Sequence, residues 1–145
     1  MTAGRRAQVG LTRDAGWQIG VSKTVEHPVE DVWSFITSPE GIAIWLGEGV
    51  TVLSEPGEGY ETTDGIRGET RSFRELDRLR LTWQPAGWRH ETTLQLTVTS
   101  AGAGRARLGV HQERLANAEE REQQRAHWRG VIKGLVDALD DRPNG

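Results

Sequence analysis

The chain contains no cysteine. That removes thiol nucleophiles, cysteine–zinc sites and disulfides, and it fits a reducing, cytoplasmic compartment. Lysine is nearly missing as well: of the 18 basic residues only Lys23 and Lys133 are lysines. No apolar run approaches the ~20 residues that cross a bilayer, so no membrane span is expected. A basic excess is also lacking. With a formal net charge of −3 the surface is unsuited to phosphate neutralisation, and no nucleic-acid partner is expected. Residues 1–15 carry Arg5, Arg6 and Arg13 but no apolar stretch of secretory type, and are expected to form a mobile arm. There is no nucleophile elbow, no phosphate loop and no GxGxxG opening a helix. No catalytic residue, metal or cofactor is assigned on this reading.

What is present defines one domain over residues 16–141, with 142–145 as a tail. A chain of 145 residues buries roughly 68–70% of its unfolded surface, enough for a core without staples. Trp17, Ile19, Val21 and Val25 alternate with polar residues as in a half-buried strand, and Lys23 is the exception in that series. Pro28 opens a short helix with Val29, Val32, Trp33 and Ile36 on one face, and Ser38-Pro39 starts a second carrying Ile42, Trp45 and Leu46. Strands are then predicted over 50–53, 60–63, 66–76, 79–83, 92–98 and 106–110, with turns at Glu55-Pro56-Gly57-Glu58-Gly59, Asp64-Gly65 and Gly102–Gly104.

Residues 117–141 read as one long helix. Trp128, Val131, Ile132, Leu135, Val136 and Leu139 recur at spacings of three and four. Asn117 and Glu120 have capping-box spacing at its start, and Glu119, Glu120 and Glu122 suit the positive end of the helix dipole. One strand, two short helices, a run of antiparallel strands and a long last helix make an α+β fold. Only the last helix is long enough to cover the buried face of a curved sheet.

Along that helix the apolar line continues towards the N-terminus as Gln124, Arg125 and Arg121. Two guanidinium groups one turn apart either converge on an anion or lie in water where the helix overhangs the core, and Glu122, three residues from Arg125, offers that arginine a partner without a ligand. Thr70 and Ser72 are small, uncharged positions predicted to face inward. The space they leave is filled either by Trp33, Trp45, Trp83, Trp88 and Trp128 or by a ligand. Phe73 sits out of parity and marks a candidate bulge. His111 and Glu113 share a strand face opposite Leu108 and Val110, hence the solvent face, and no third metal ligand has suitable spacing.

Pro28-Val29-Glu30-Asp31-Val32-Trp33, Thr37-Ser38-Pro39-Glu40 and Trp45 resemble the opening of START-like helix-grip (SRPBCC) proteins. The resemblance is closest to the branch named after the activator of the heat-shock-protein-90 ATPase. Asp64-Gly65-Ile66-Arg67-Gly68-Glu69 and His127-Trp128-Arg129-Gly130 are similar to later landmarks of that branch; Glu58 departs from it, standing where a small residue is expected. The resemblance implies a helix-grip fold enclosing an apolar cavity between sheet and last helix. It implies a noncatalytic domain sheltering a small apolar or amphipathic molecule. A co-chaperone module that touches a chaperone, and a cyclase-like or hydrolytic enzyme, are the alternatives. The expected ligand-facing residues are Trp33, Trp45, Thr70, Ser72, Trp83, Trp88, Arg121, Gln124, Arg125 and Trp128. Either a monomer or a homodimer is compatible with the residues.

Overall fold

The computed structural model describes residues 11–12 and 16–142. Most of the expected N-terminal arm and residues 143–145 of the tail lie outside the described residues. Within the arm, β1 (Leu11–Thr12) pairs with the start of β2 (Gly16–Val25). Helices α1 (Val29–Ile36) and α2 (Pro39–Trp45) follow, then β3 (Gly59–Glu61), β4 (Arg67–Arg74), β5 (Arg78–Trp83), β6 (Thr92–Ser100), β7 (Ala106–Leu115) and α3 (Ala118–Asp141). The order in the sheet is β1-β2-β7-β6-β5-β4-β3, every neighbour antiparallel. The helix pair thus carries the chain from β2 across to the far edge, and a meander returns it to pair β7 with β2. This curved open sheet with its long terminal helix is the helix-grip arrangement expected from the pattern of elements.

Local chemistry accounts for the elements. Pro28 sits just outside α1 in extended conformation (φ −71°, ψ 160°), where its lack of an N–H costs nothing. Ser38 caps α2 by accepting from the Gly41 N–H at 3.1 Å, and Pro39 fills the first helical position. Asn117 Oδ1 accepts from Glu120 N–H at 2.8 Å, while Glu120 Oε1 reaches back to the Ala116 N–H at 2.8 Å. That is a capping box displaced by one residue.

The core is the concave face of the sheet, with Leu79 and Leu81 of β5, Leu94, Leu96 and Val98 of β6, and Leu108 and Val110 of β7 all buried. From α3 it receives Trp128, Ile132, Leu135 and Leu139. Each fully buried aliphatic side chain contributes about 1.5–3 kcal/mol, which is why α3 is held although its exposed face is strongly charged.

Two expectations need correction. Residues 50–53 form no strand: Val50 and Leu53 are both buried, and a spacing of three cannot place two side chains on one face of a strand. Gly47 (φ 142°) and Gly49 (φ 97°) have already turned the chain out of any extended run. Ser72 does not face inward. The register slips between Thr70, paired with Leu81, and Ser72, paired with Arg80. The extra residue of a bulge inverts the parity, so Phe73 turns in beside Leu79 and Ser72 joins the outer face. The bulge suggested by the misplaced Phe73 is therefore present.

Candidate functional site

Polar side chains buried between the sheet and α3 are organised as one relay. Trp128, fully buried, donates its indole Nε1–H to Gln112 Oε1 at 2.7 Å. Gln112, also fully buried, donates from Nε2 to Thr92 Oγ1 at 3.0 Å, and Thr92 Oγ1 donates to the Trp83 carbonyl at 2.7 Å. Helix, β7, β6 and β5 are joined by three consecutive hydrogen bonds away from water, where such a chain fixes one geometry. Neither Gln112 nor Thr92 was among the expected site residues. Their inward parity with Leu108–Val110 and Leu94–Leu96 was the available signal.

Next to this satisfied relay stand two exceptions. Among the described residues the indole N–H of Trp83 and the amide oxygen of Gln124 are buried without a hydrogen-bond partner, in residues only 3% and 8% exposed. Gln124 lies one turn before Trp128 on the inward line of α3, and the Trp83 ring packs 5.6 Å from that of Trp128. Aromatic rings pack about Trp83: Trp88 meets it edge-on at 5.5 Å, and His127 lies 6.2 Å away. His90 stacks on Trp88 at 4.9 Å, and its Nε2 is 2.8 Å from Glu120 Oε1. That contact ties the loop 85–91 to the start of α3. Trp83 Nε1 is a donor and Gln124 Oε1 an acceptor, each lacking a partner among the described residues.

The remaining expected residues divide. Trp33 packs edge-on to Phe73 at 5.4 Å, and Trp45 donates from Nε1 to the Ile36 carbonyl at 2.8 Å; both are core struts beneath the helix pair. Thr70, buried, donates to the Leu53 carbonyl at 3.1 Å. Arg121 donates from Nε to the Gln18 carbonyl at 2.8 Å and contacts Glu122 at 2.7 Å, while Arg125 lies 3.9 Å from the same carboxylate. Glu122 therefore pairs closely with Arg121 and only loosely with Arg125, and Arg121 pins α3 to β2. Brought together are Trp83, Trp88, Gln124 and Trp128. Held apart from them are Trp33, Trp45, Thr70 and Ser72.

A concavity of about 190 Å³ opens near the helix pair, walled by Ile42, Leu53, Phe73 and Leu79 with hydroxyls from Thr37 and Thr51. On the outer face His111 is held by Gln18 Oε1 at 2.7 Å. Burial pulls its pKa below the usual histidine value, against the opposing pull of Glu113. Among the described residues no cluster of three His, Cys, Asp or Glu side chains could hold a metal ion, and no helix is long and apolar enough to cross a membrane.

A sheet gripping its terminal helix over a partly polar interior defines a START-like helix-grip domain. The family model described as "Activator of Hsp90 ATPase homolog 1-like protein" matches residues 26–140. The chain belongs to that family. Among solved structures, MLL2253 from Mesorhizobium loti is 19% identical with a TM-score of 0.75, covering 88% of this chain and 99% of its own. PFC0360w, an HSP90 activator from Plasmodium falciparum, is 13% identical with a TM-score of 0.72 over 87% of this chain and 97% of its own. DynU16, from the dynemicin biosynthetic locus, is 25% identical with a TM-score of 0.73 over 86% of this chain. This chain spans about half, 47%, of DynU16. No curated protein matches the chain.

Proposed function

We propose that this protein is a noncatalytic binding domain that shelters a small, mostly apolar molecule between the sheet and the first half of α3. The observation that carries the reading is the pair of buried, unpartnered polar atoms, Trp83 Nε1 and Gln124 Oε1. A buried group left unsatisfied costs about 1–3 kcal/mol, whereas each side-chain nitrogen and oxygen of the adjacent Trp128–Gln112–Thr92 relay has a partner. A ligand hydroxyl or amide accepting from Trp83 and donating to Gln124 would offset both costs. The indole faces of Trp83 and Trp88 supply apolar contact for the rest of the molecule. Membership of a START-like family supports a ligand-binding domain in general.

Native mass spectrometry of freshly purified protein, followed by a panel of small aromatic alcohols and amides, tests the reading. Binding is expected in the wild type and weakened about tenfold or more in Gln124→Leu, which keeps the bulk and removes the acceptor. Uniformly ligand-free protein that binds no member of the panel would count against it. The family description supports a second reading, stimulation of a chaperone ATPase. A coupled ATPase assay decides it, and no stimulation is expected if shelter of a ligand is the role.

A further inference from the structure

By turning Phe73 inward beside Leu79, the register slip in β4 places an aromatic ring in the wall of the concavity at the helix pair. Bulges that re-aim a side chain in this way are common beside functional sites. Trp33 braces the ring edge-on at 5.4 Å, yet Phe73 is only half-buried, so the core does not use up its surface. Buried Ile42, Leu53 and Leu79 complete an apolar wall. The loop 46–58, which carries Leu53, is fastened to β4. Thr70 Oγ1 donates to the Leu53 carbonyl at 3.1 Å, and the Gly57 N–H donates to the Thr70 carbonyl at 2.8 Å. The wall is therefore formed before anything enters, as small-molecule sites usually are.

The lining also limits what fits. No Asp, Glu, Lys or Arg is part of it, and a charged group moved there from water would lose hydration without gaining an ionic partner. The volume of about 190 Å³ lies below the roughly 300–1,000 Å³ of sites for larger ligands, and near the roughly 150 Å³ of an apolar cavity that takes up benzene. Thr37 Oγ1 donates to the Trp33 carbonyl at 2.7 Å. That bond commits its proton and leaves its oxygen as an acceptor towards the concavity. Val52, also in the lining, is 65% exposed, an apolar side chain that an occupant would cover.

We propose that this concavity is a binding site for a small uncharged molecule no larger than a single substituted ring. Its hydroxyl donates to Thr37 Oγ1, and its apolar face meets Phe73, Leu79 and Val52. The site shares no residue with the chamber beside Trp83, and no residue of α3 lines it.

The chain has two phenylalanines, so fluorophenylalanine labelling gives one ¹⁹F reporter and one control. Phe73 reports on the site, and Phe35 is fully buried outside it. Phenol is expected to shift the Phe73 signal saturably and leave that of Phe35 in place. Anisole, which has no proton to donate, should bind about threefold or more weaker, as expected for one neutral hydrogen bond. Benzoate and benzylammonium, similar in size but charged, should bind about tenfold or more weaker. Val52→Asp, at an exposed position, should weaken phenol binding about tenfold through an unpaired charge at the site. Gln124→Leu should leave the Phe73 response unchanged, which separates this result from the fate of the interior reading. Equal, unsaturable shifts of both signals, or no shift at all, would overturn the proposal. So would affinity for anisole, benzoate or benzylammonium equal to that for phenol, or full affinity in Val52→Asp. A Phe73 signal that follows protein concentration and ignores phenol would overturn it in favour of a second copy covering Val52. Should Val52→Asp fail to fold, the comparison of the four probes on the wild type still decides.

Discussion

At the scale of single residues the fold rests on buried side chains that bring their own hydrogen bonds. Trp128 joins a fully buried ring to a bond with Gln112, so Trp128→Ala removes volume and strands the Gln112 amide together. A loss of about 3–5 kcal/mol in chemical denaturation is expected, and a loss below about 1 kcal/mol would mean the residue is not part of the core. Tyr60, the one tyrosine of the chain, donates to the Thr82 carbonyl at 2.6 Å. Burial first, and Glu91 second, push its phenol far above the usual tyrosine pKa. The unfolded chain releases this proton near pH 10 and the folded one does not. Above that pH the folded state binds more protons, so stability falls as pH rises, at about 1.4 kcal/mol per pH unit from this group. Tyrosinate absorbance should therefore appear together with loss of circular dichroism. Smooth ionisation near pH 10 in folded protein would contradict the burial.

At the scale of elements, sequence periodicity was most informative where a segment is long. The three-and-four spacing of Trp128, Ile132, Leu135 and Leu139 gave α3 and its inward face, and Asn117 gave its start. The alternation of Thr92, Leu94, Leu96 and Val98 gave β6. Legibility failed where one residue changes the parity. The out-of-parity Phe73 marks a bulge but not its place: the slip falls before Ser72, between it and Thr70, and turns Ser72 out. Residues 50–53 were read as a strand from composition, although Val50 and Leu53 already stood three apart. The arginine line of α3 was visible, but the pairing of Arg121 with Glu122 depends on side-chain paths that spacing does not set. The Gln112–Thr92 relay was missed because it links three strands and a helix distant in the chain. The junction of α1 and α2 gives a test at this scale. A Cβ on Gly41 would lie 2.0 Å from the Phe35 carbonyl oxygen. Glycine to alanine in an open helix gains up to about 1 kcal/mol, whereas Gly41→Ala should lose about 1–3 kcal/mol because backbone cannot yield. Stabilisation on thermal or chemical melting would show that the two helices are not so close.

At the scale of the whole molecule, the sheet and α3 together make an interior whose two ends differ. The C-terminal half of α3 contributes Ile132, Leu135 and Leu139 to a wholly apolar core. The N-terminal half contributes Gln124, one turn from Trp128 of the aromatic group with Trp83 and Trp88, and two polar atoms there have no partner among the described residues. The family's architecture was legible from its motifs. This difference between the ends was foreshadowed only by the change from aliphatic to polar residues along one helix face. Indole N–H resonances in an ¹⁵N correlation spectrum follow that difference atom by atom, with Trp83→Phe and Trp128→Phe as assignments. Addition of a small aromatic alcohol or amide that binds is predicted to move the Trp83 signal strongly and leave the Gln112-bonded signal of Trp128 comparatively still. A Trp83 indole that keeps its position through saturating binding would contradict the placement of a ligand between sheet and helix.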